Sequence, residues 1–522
     1  MSAIAAVRQR HAREAALAAV CAILFLTFLD NTIVSVALAN IQSSLGVSVP
    51  GLQWIVNGYM LAFAALMLTG GTLGDLFGRK RVMLGGVAIF CVGAVIAALA
   101  NGGALLIAGR IVMGVGAAGS EPGTLSVLRH VYPERQARAR ALGVWAAVSG
   151  LALALGPVIG GVLVDGAGGY RSIFWFSLAL GVLCFAGAAV TLTESSDPQG
   201  RQLDVPGLAT GASAILAATF AVIEGENQGY STWWIVLLFA LSAVLVVAFV
   251  EIERRVQDPV LKLEFLRNPT FTSANIVAFA TNLAVFSVFF FTALYLQLIA
   301  SFSGYQIALV FTSLAVAMIV AGPIAGRWTA RVGPKVPMVV GCGLAGIGLL
   351  LLDQQLTPTT SVAALSWPLA IAGLGFGIAL VTMTQSVLTL VPSRESGMAA
   401  STVNTSRELG GVFGVAVLGA VVNRALIGGL THKMVALHVP AIWQKVAIDI
   451  VTTGGNISAA EKSFPTHGHI SLVAKVLLAA ESSAGHGVHL ALEIAGGMVL
   501  AAGVVAAFAA RHRVGHVEEA VV

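Results

Sequence analysis

Long apolar runs separated by short polar turns set the plan of this chain. Runs of about 20 apolar residues, the length that crosses a bilayer as a helix, fall at roughly 17–40, 52–73, 82–101, 104–127, 142–164, 171–192, 207–224, 232–252, 271–297, 306–327, 337–353, 367–391, 398–424 and 488–510. The pattern therefore predicts fourteen transmembrane helices. The second run ends in Gly71-Thr72-Leu73-Gly74-Asp75-Leu76-Phe77-Gly78-Arg79-Lys80-Arg81, and a new apolar run starts at once. A soluble core gives no reason to stop a hydrophobic run with three consecutive cations. A bilayer does, because cytoplasmic turns collect Lys and Arg.

Composition agrees. The 522 residues are 57% hydrophobic and 10% charged, with a mean hydropathy of +0.90, against roughly 25% charged residues in soluble domains. The net charge of +5 would suggest nucleic acid as partner in a soluble protein; here the placement of the cations accounts for it, and no nucleic acid is expected. Most of the 29 Lys and Arg fall in turns on one side, and the short turns on the other side hold only Arg171. By the positive-inside rule both termini are cytoplasmic. Arg8, Arg10 and Arg13 flank the first run as in a signal sequence, but the run is long and no cleavage site follows, so it reads as an uncleaved first span. Cys21, Cys91, Cys184 and Cys342 all lie in apolar runs, without metal or disulfide spacing.

A repeat divides the chain. Gly326-Arg327-Trp328-Thr329-Ala330-Arg331-Val332-Gly333-Pro334-Lys335 repeats the Gly-to-Gly spacing and trailing cation of the first turn, with Ala330 at the place of Asp75. Two related halves around a midplane site are a common transporter plan. The expected organisation is a cytoplasmic tail (1–16), a six-helix bundle (17–192), a linker with two extra helices (193–270), a second six-helix bundle (271–510) and a cytoplasmic tail (511–522). Within the second bundle, 425–487 is a polar extracytoplasmic loop expected to fold partly as a hairpin or helices. Its His432, His467 and His469, with His486, read as solvated loop residues, and no metal is expected.

Ionisable groups at membrane depth are costly and mark function. Asp30 lies mid-span in the first run; Arg110 and Glu121 lie on one face of the fourth, about 16 Å apart along the axis. The first span rises outward and the fourth descends, so Asp30 and Arg110 reach similar depths and can pair. Two readings stand, a structural ion pair and a proton site. Burial favours the protonated acid and an opposing guanidinium the carboxylate, so an acid held between them can load and release a proton. Glu121, before Pro122, has the alternative of reaching interfacial water. Asn404, Thr405, Arg407 and Glu408 form a polar patch in the thirteenth run; adjacent helical residues point about 100° apart, so Arg407 and Glu408 are not expected to face one cavity. Gly150, Gly156, Pro157, Gly160 and Gly161 predict a bendable, closely packed fifth helix.

Taken together these motifs resemble the major facilitator superfamily, specifically its fourteen-span drug:proton antiporter branch. The family turn G-x-L-x-D-x-x-G-R-K is matched by Gly71, Leu73, Asp75, Gly78, Arg79 and Lys80. The first-span pattern L-D-x-T-I-V-x-V-A-L is matched by Leu29, Asp30, Thr32, Ile33, Val34, Val36, Ala37 and Leu38. Arg110 with Gly114, and Gly156-Pro157 with Gly160-Gly161, match the fourth- and fifth-span patterns. The chain departs from the family at Ala39, Met113, Ser177-Leu178-Ala179 and Glu121. The resemblance implies an all-α major facilitator fold with fourteen transmembrane helices, two six-helix bundles plus two inserted helices. It also implies a central cavity whose lining includes Tyr59, Asn282, Phe286, the run Phe289-Phe290-Phe291, Thr384 and Gln385. Facing lipid or a neighbouring helix is the alternative for those phenylalanines. The first turn (Gly71, Asp75, Gly78, Arg79, Lys80) would be a cytoplasmic gate, Asp75 docking on the N-terminus of the thirteenth helix beside Arg135, Arg138 and Arg140.

The expected function is a proton-coupled secondary antiporter in a bacterial plasma membrane, exporting amphipathic or cationic small molecules. Asp30, Arg110, Glu121 and Glu408 are its proton-coupling residues, and protons and membrane lipids its other partners. A monomer is the expected functional unit, and the proton gradient replaces any cofactor. No G-x-x-x-x-G-K-[ST] loop supports ATP-driven pumping, and no nucleophile–base set supports an enzyme. The alternatives are an exporter of one endogenous metabolite, lipid or self-made antibiotic, and a non-transporting membrane sensor.

Overall fold

The computed structural model describes residues 3–166, 168–195, 204–256, 261–391, 396–436 and 470–510, with isolated positions 259, 439 and 444. Its first half comprises α1 (Ala3–Ile33), a 3-10 turn (Val34–Ala37), α2 (Leu38–Leu45), α3 (Val49–Phe77), α4 (Arg79–Ala98), α5 (Gly103–Ser120), α6 (Pro122–Val131), α7 (Arg135–Gly166) and α8 (Arg171–Thr191). Then come α9 (Val205–Gln228) and α10 (Trp233–Glu253). The second half comprises α11 (Pro269–Ser287), a π turn (Val288–Thr292), α12 (Ala293–Leu298), α13 (Gly304–Val332), α14 (Lys335–Gln355), α15 (Val362–Leu390), α16 (Ser396–Ala436) and α17 (Ile470–Ala509). No strand occurs among the described residues.

Thirteen segments of the described residues are long and apolar enough to cross a membrane. The remaining expected span, 52–73, falls within α3, a continuous helix of 29 residues. The helix starts follow local chemistry. Ser48 caps α3, its hydroxyl accepting the Gly51 N–H at 3.3 Å, and Pro50 stands in the first turn. Asn268 and Ser303 do the same for α11 and α13, the latter with a capping box to Gln306. Two boundaries differ from the sequence expectation. The first helix begins within the expected tail, and the 425–487 stretch is helical at both ends, because α16 runs on to Ala436 and α17 begins at Ile470. Small residues such as Ala, Ser and Gly make those ends too weakly apolar to read as span, yet they continue the helices. His467 and His469 lie outside the described residues.

The internal repeat reappears as geometry. Both copies of the turn close on a glycine of positive φ, Gly78 at 103° and Gly333 at 84°, where a side chain would be strained. Helix pairings repeat as well. α3 packs on α5 as α13 packs on α15, α4 on α5 as α14 on α15, α1 on α7 as α11 on α16, and α4 on α8 as α14 on α17. The two bundles meet along α3–α16 and α7–α13, the same pair of helices exchanged between halves. Close approach uses small residues at matching places: Gly114 of α5 lies on the backbone of α3 at Tyr59, and Gly373 of α15 on α13 at Leu314. The inserted α9 packs on α10, α3 and α16, whereas α10 packs chiefly on α9.

Candidate functional site

Four helices converge on Asp30. Its Oδ2 pairs with Arg110 Nη1 of α5, and its Oδ1 accepts from Ser177 Oγ of α8 at 3.2 Å. Arg110 also donates through Nε to the Ile55 carbonyl of α3 at 3.0 Å. Its guanidinium lies 4.4 Å from the centroid of the Tyr59 ring, a cation–π contact. The Tyr59 hydroxyl donates back to the Thr27 carbonyl of α1 at 3.1 Å. Asp30, Arg110, Tyr59 and Ser177 are all 0% exposed. The sequence expectation of an Asp30–Arg110 pair is met. Tyr59, expected in the cavity lining, belongs to this cluster. Ser177 was noticed only as a departure from the family pattern, and its hydroxyl is what completes the acid's shell.

A second cluster crosses the seam between the bundles. Glu121 stands at the junction of α5 and α6, where Pro122 begins a new helix. Its Oε1 accepts from Asn404 Nδ2 of α16 at 3.3 Å. Asn404 Oδ1 in turn accepts from Arg407 Nη1 at 3.3 Å, and the Arg407 guanidinium lies 4.9 Å from the Phe28 ring centroid on α1, two residues before Asp30. Glu121, Arg407 and Glu408 are buried, at 1%, 1% and 2% exposure, and lie within Coulombic range of one another. Of the two readings of Glu121, reaching interfacial water falls away, because α16 covers it. Arg407 and Glu408 point about 100° apart and are both buried, because α16 is packed by α3 on one side and by α11 and α17 on others. Tyr59 lies within Coulombic range of both clusters.

Several polar atoms here exchange no hydrogen bond with the described residues: Arg110 Nη2, Glu121 Oε2, Arg407 Nε and Nη2, Glu408 Oε2, and the amides of Asn31 and Asn57. Buried polar groups are ordinarily paired, so this concentration makes the two clusters the candidate functional site.

The glycines and proline of α7 serve the first cluster. Pro157 has no N–H, so the Leu153 carbonyl four residues back loses its helical partner. Thr32 Oγ1 of α1 donates to that carbonyl at 2.9 Å. Gly156 lies directly against α1 at Leu29–Ile33, Gly160 against Ile33 and against Val36 of the 3-10 turn that follows, and Gly161 against the Gly304 carbonyl of α13. Further along, Asp165 Oδ2 accepts the Tyr305 N–H at 3.1 Å. The motif thus touches the acid-bearing helix on one side and the second bundle on the other.

At the first turn, Gly71 faces Ser401 of α16, so α3 does reach the start of the thirteenth span. The Asp75 side chain and those of Arg135, Arg138 and Arg140 lie outside the described residues. The cations are held by a residue the sequence reading missed, Glu194. It accepts the Lys80 N–H at 3.1 Å and pairs with Arg81 at 3.6 Å. Lys80 Nζ donates to the Ala189 carbonyl at 2.7 Å, and the Arg79 N–H to the Ser195 carbonyl at 2.9 Å.

Among the other expected lining residues, Phe286 packs on Gly411 of α16, and Asn282 donates to Ala278 of its own helix at 3.1 Å. Phe289, Phe290 and Phe291 are buried, Phe289 against Phe311 of α13 with centroids 4.9 Å apart. Thr384 is half-buried and donates to Leu380 of its own helix at 2.9 Å. Gln385 stands against Gly326, at the second copy of the turn.

Comparison with known proteins agrees with the geometry. Residues 20–415 match the Major Facilitator Superfamily model. The chain is 31% identical to the Multidrug resistance protein Stp of Mycobacterium tuberculosis, over 90% of this chain and 87% of that one. It is 33% identical to the Methylenomycin A resistance protein of Streptomyces coelicolor, over 76% of this chain and 82% of the other. Its fold is shared with a bacterial homologue of the lysosomal transporter Spinster in an inward-facing, occupied conformation. The TM-score is 0.60 and the identity 18%, covering 95% of this chain and 96% of that one. With the paired bundles, the repeated turn and the buried ion pair all in place, the chain belongs to the major facilitator superfamily.

Proposed function

We propose that the protein is a proton-coupled antiporter of a bacterial plasma membrane, exporting amphipathic or cationic small molecules. One observation carries the reading. Within the first bundle and at its seam with the second, three carboxylates (Asp30, Glu121, Glu408) are buried with two guanidiniums (Arg110, Arg407). An uncompensated charge at that depth is expensive, so the set favours taking up one proton. The clusters share Phe28 and Tyr59 as neighbours, so a proton on either alters the field at the other. Asp30 is the first choice of carrier, with Arg110 opposing it and Ser177 holding its orientation; Glu121 and Glu408 are the acids whose surroundings change when the bundles part. The buried Phe286 and Phe289 add apolar surface on the second bundle for an amphipathic substrate.

The test is pH-gradient-driven uptake into everted vesicles across a panel of lipophilic cations and neutral drugs. Asp30→Asn is expected to abolish gradient-driven accumulation while substrate exchange without a gradient persists. Gradient-driven accumulation that survives Asp30→Asn, Glu121→Gln and Glu408→Gln alike refutes the coupling scheme. The likeness to a protein named for resistance to one antibiotic, methylenomycin A, favours a second, narrower reading, export of a single compound; uptake confined to one member of the panel would select it.

A further inference from the structure

The inserted helices carry a cluster that the transport scheme above does not use. Trp54 of α3 donates its Nε1–H to Glu224 Oε1 of α9 at 3.0 Å. The Trp54 ring lies 5.3 Å from Phe220, centroid to centroid, at an interplanar angle of 55°. Phe220 lies 6.4 Å from Trp234 of α10, at 56°. Phe220 and Glu224 are four residues apart on α9 and share a face. Behind them Val222 and Ile223 are buried with Ala416 of α16, and Trp54 and Phe413 pack over the group. All three units of the fold therefore meet here, where one carboxylate is bonded to the first ring of a row of three tilted aromatic rings, Trp54, Phe220 and Trp234. The charge distribution of the chain makes this end of the helices extracytoplasmic.

The cluster is built but not closed. Phe220 is 41% exposed, while Trp54, Glu224 and Trp234 are half-buried. Only one oxygen of Glu224 accepts a hydrogen bond from the described residues. A carboxylate one turn inside the end of an apolar helix is costly unless something positive approaches it, and the aromatic faces beside it attract cations for the same electrostatic reason.

We propose that Glu224, Trp54, Phe220 and Trp234 form a binding site for lipophilic organic cations at the outer seam of the bundles. The carboxylate and ring faces read the charge, and the exposed side of Phe220 admits apolar substituents from the lipid. The assignment of this site to outgoing substrate rests on the exporter reading; the binding itself does not.

The experiment measures equilibrium binding of tetraphenylphosphonium, and of uncharged triphenylphosphine oxide, to the full chain in lipid nanodiscs. It is done in an Asp30→Asn background, so that failure of the proton scheme leaves the result readable. Glu224→Gln keeps a carbonyl for Trp54 and removes the charge. It is expected to weaken tetraphenylphosphonium binding about tenfold, within the range for a partly desolvated cation contact, and to leave the neutral probe unchanged. Phe220→Leu, which keeps apolar bulk and removes the ring face, is expected to act in the same direction by a few-fold. Unchanged cation affinity in both variants overturns the proposal. So does equal weakening for both probes, which would mean that Glu224 only pins α9 to α3.

Discussion

The hydrogen bond from Thr32 to the Leu153 carbonyl offers the sharpest test of why the Gly-Pro pair sits beside the buried acid. Thr32→Val keeps the shape of the side chain and removes the donor, leaving a buried carbonyl that Pro157 has already deprived of its helical partner. An unsatisfied buried acceptor costs roughly 1–3 kcal/mol, while measured side-chain hydrogen bonds between membrane helices average about 0.6 and reach about 1.7 kcal/mol. With no alternative donor in a proline-interrupted helix, the expected loss is about 1.5 kcal/mol. The bond is redundant once the backbone can make its own, so Thr32→Val in a Pro157→Ala background should cost less than about 0.5 kcal/mol. A double-mutant cycle on the purified protein, read by reversible unfolding in mixed micelles, should give a coupling near 1 kcal/mol. Additivity of the two substitutions within about 0.3 kcal/mol refutes the argument, and the glycines would then owe their place to packing alone. Gly156→Ala provides an independent check, since its methyl would land on the Thr32 hydroxyl and should reproduce the loss.

Two further outcomes are expected at the ends of the helices. Gly78→Ala places a side chain at φ 103° and 2.6 Å from Glu194 Oε1, so it should lower stability by about 1–3 kcal/mol. Gly85→Ala, with nothing within 4 Å, should be neutral or slightly stabilising; equal thermal midpoints for the two variants would contradict this. Elsewhere on the same side of the first bundle, Arg13 Nη1 lies 3.2 Å from both carboxylate oxygens of Glu134, and the Tyr132 hydroxyl donates to the Arg13 carbonyl at 3.1 Å. A hydrogen bond from its own backbone, and then Arg13, hold the Glu134 carboxyl below its usual range. A depressed acid stabilises the folded form above its ordinary value and loses that contribution as pH falls through the lowered one. Hydrogen-exchange protection of the Tyr132 and Glu134 amides should therefore hold from neutral pH to about pH 5 and decline only below about pH 4. Glu134→Gln should abolish the decline, and protection that is constant down to pH 3 would rule the contact out.

Much of the fold is legible because a bilayer leaves few options. Apolar runs of span length become helices, and a glycine before a cation at the end of a run becomes a reversal, as at Gly78 and Gly333. The Asp30–Arg110 pair was readable from depth alone, since two oppositely running helices bring a mid-span acid and a mid-span base to one level. What periodicity cannot supply is the partner. Ser177 is one hydroxyl among many in apolar runs, and nothing in its spacing points at α1. Glu194 lies just past a span, in sequence that reads as loop, and only the fold of α8 returns it to the Lys80 turn. The angle of about 100° between Arg407 and Glu408 says that they face different neighbours, but not that both neighbours are protein, as they are for α16. The inserted helices read as an addition between halves because their packing on α3 and α16 comes from residues, Val222 and Ile223, that look like any lipid-facing pair.

These contacts also restrict how a change at Asp30 can reach the interface between the bundles. Asp30 is bonded to α5 and α8 within its own bundle, so its charge state is sensed first by helices whose main packing is on other helices than α13. One path outward is two residues on, where Thr32 holds α7, and α7 meets α13 at Gly161–Gly304 and Asp165–Tyr305. A second path runs through Phe28 to Arg407 and Asn404, and so back to Glu121. The two routes lead to different seams, α7–α13 and α3–α16, which are the pair exchanged by the internal repeat. A rotation of one bundle against the other must shear both together. Spatial adjacency is not itself coupling, but it makes a distinction that can be measured. Cutting the first path with Thr32→Val should loosen the link between Asp30 and the α7–α13 seam while leaving Arg407 and Asn404 engaged. Accessibility of a cysteine placed at Tyr305 should then lose its dependence on pH, and one placed at Ser401 should keep it.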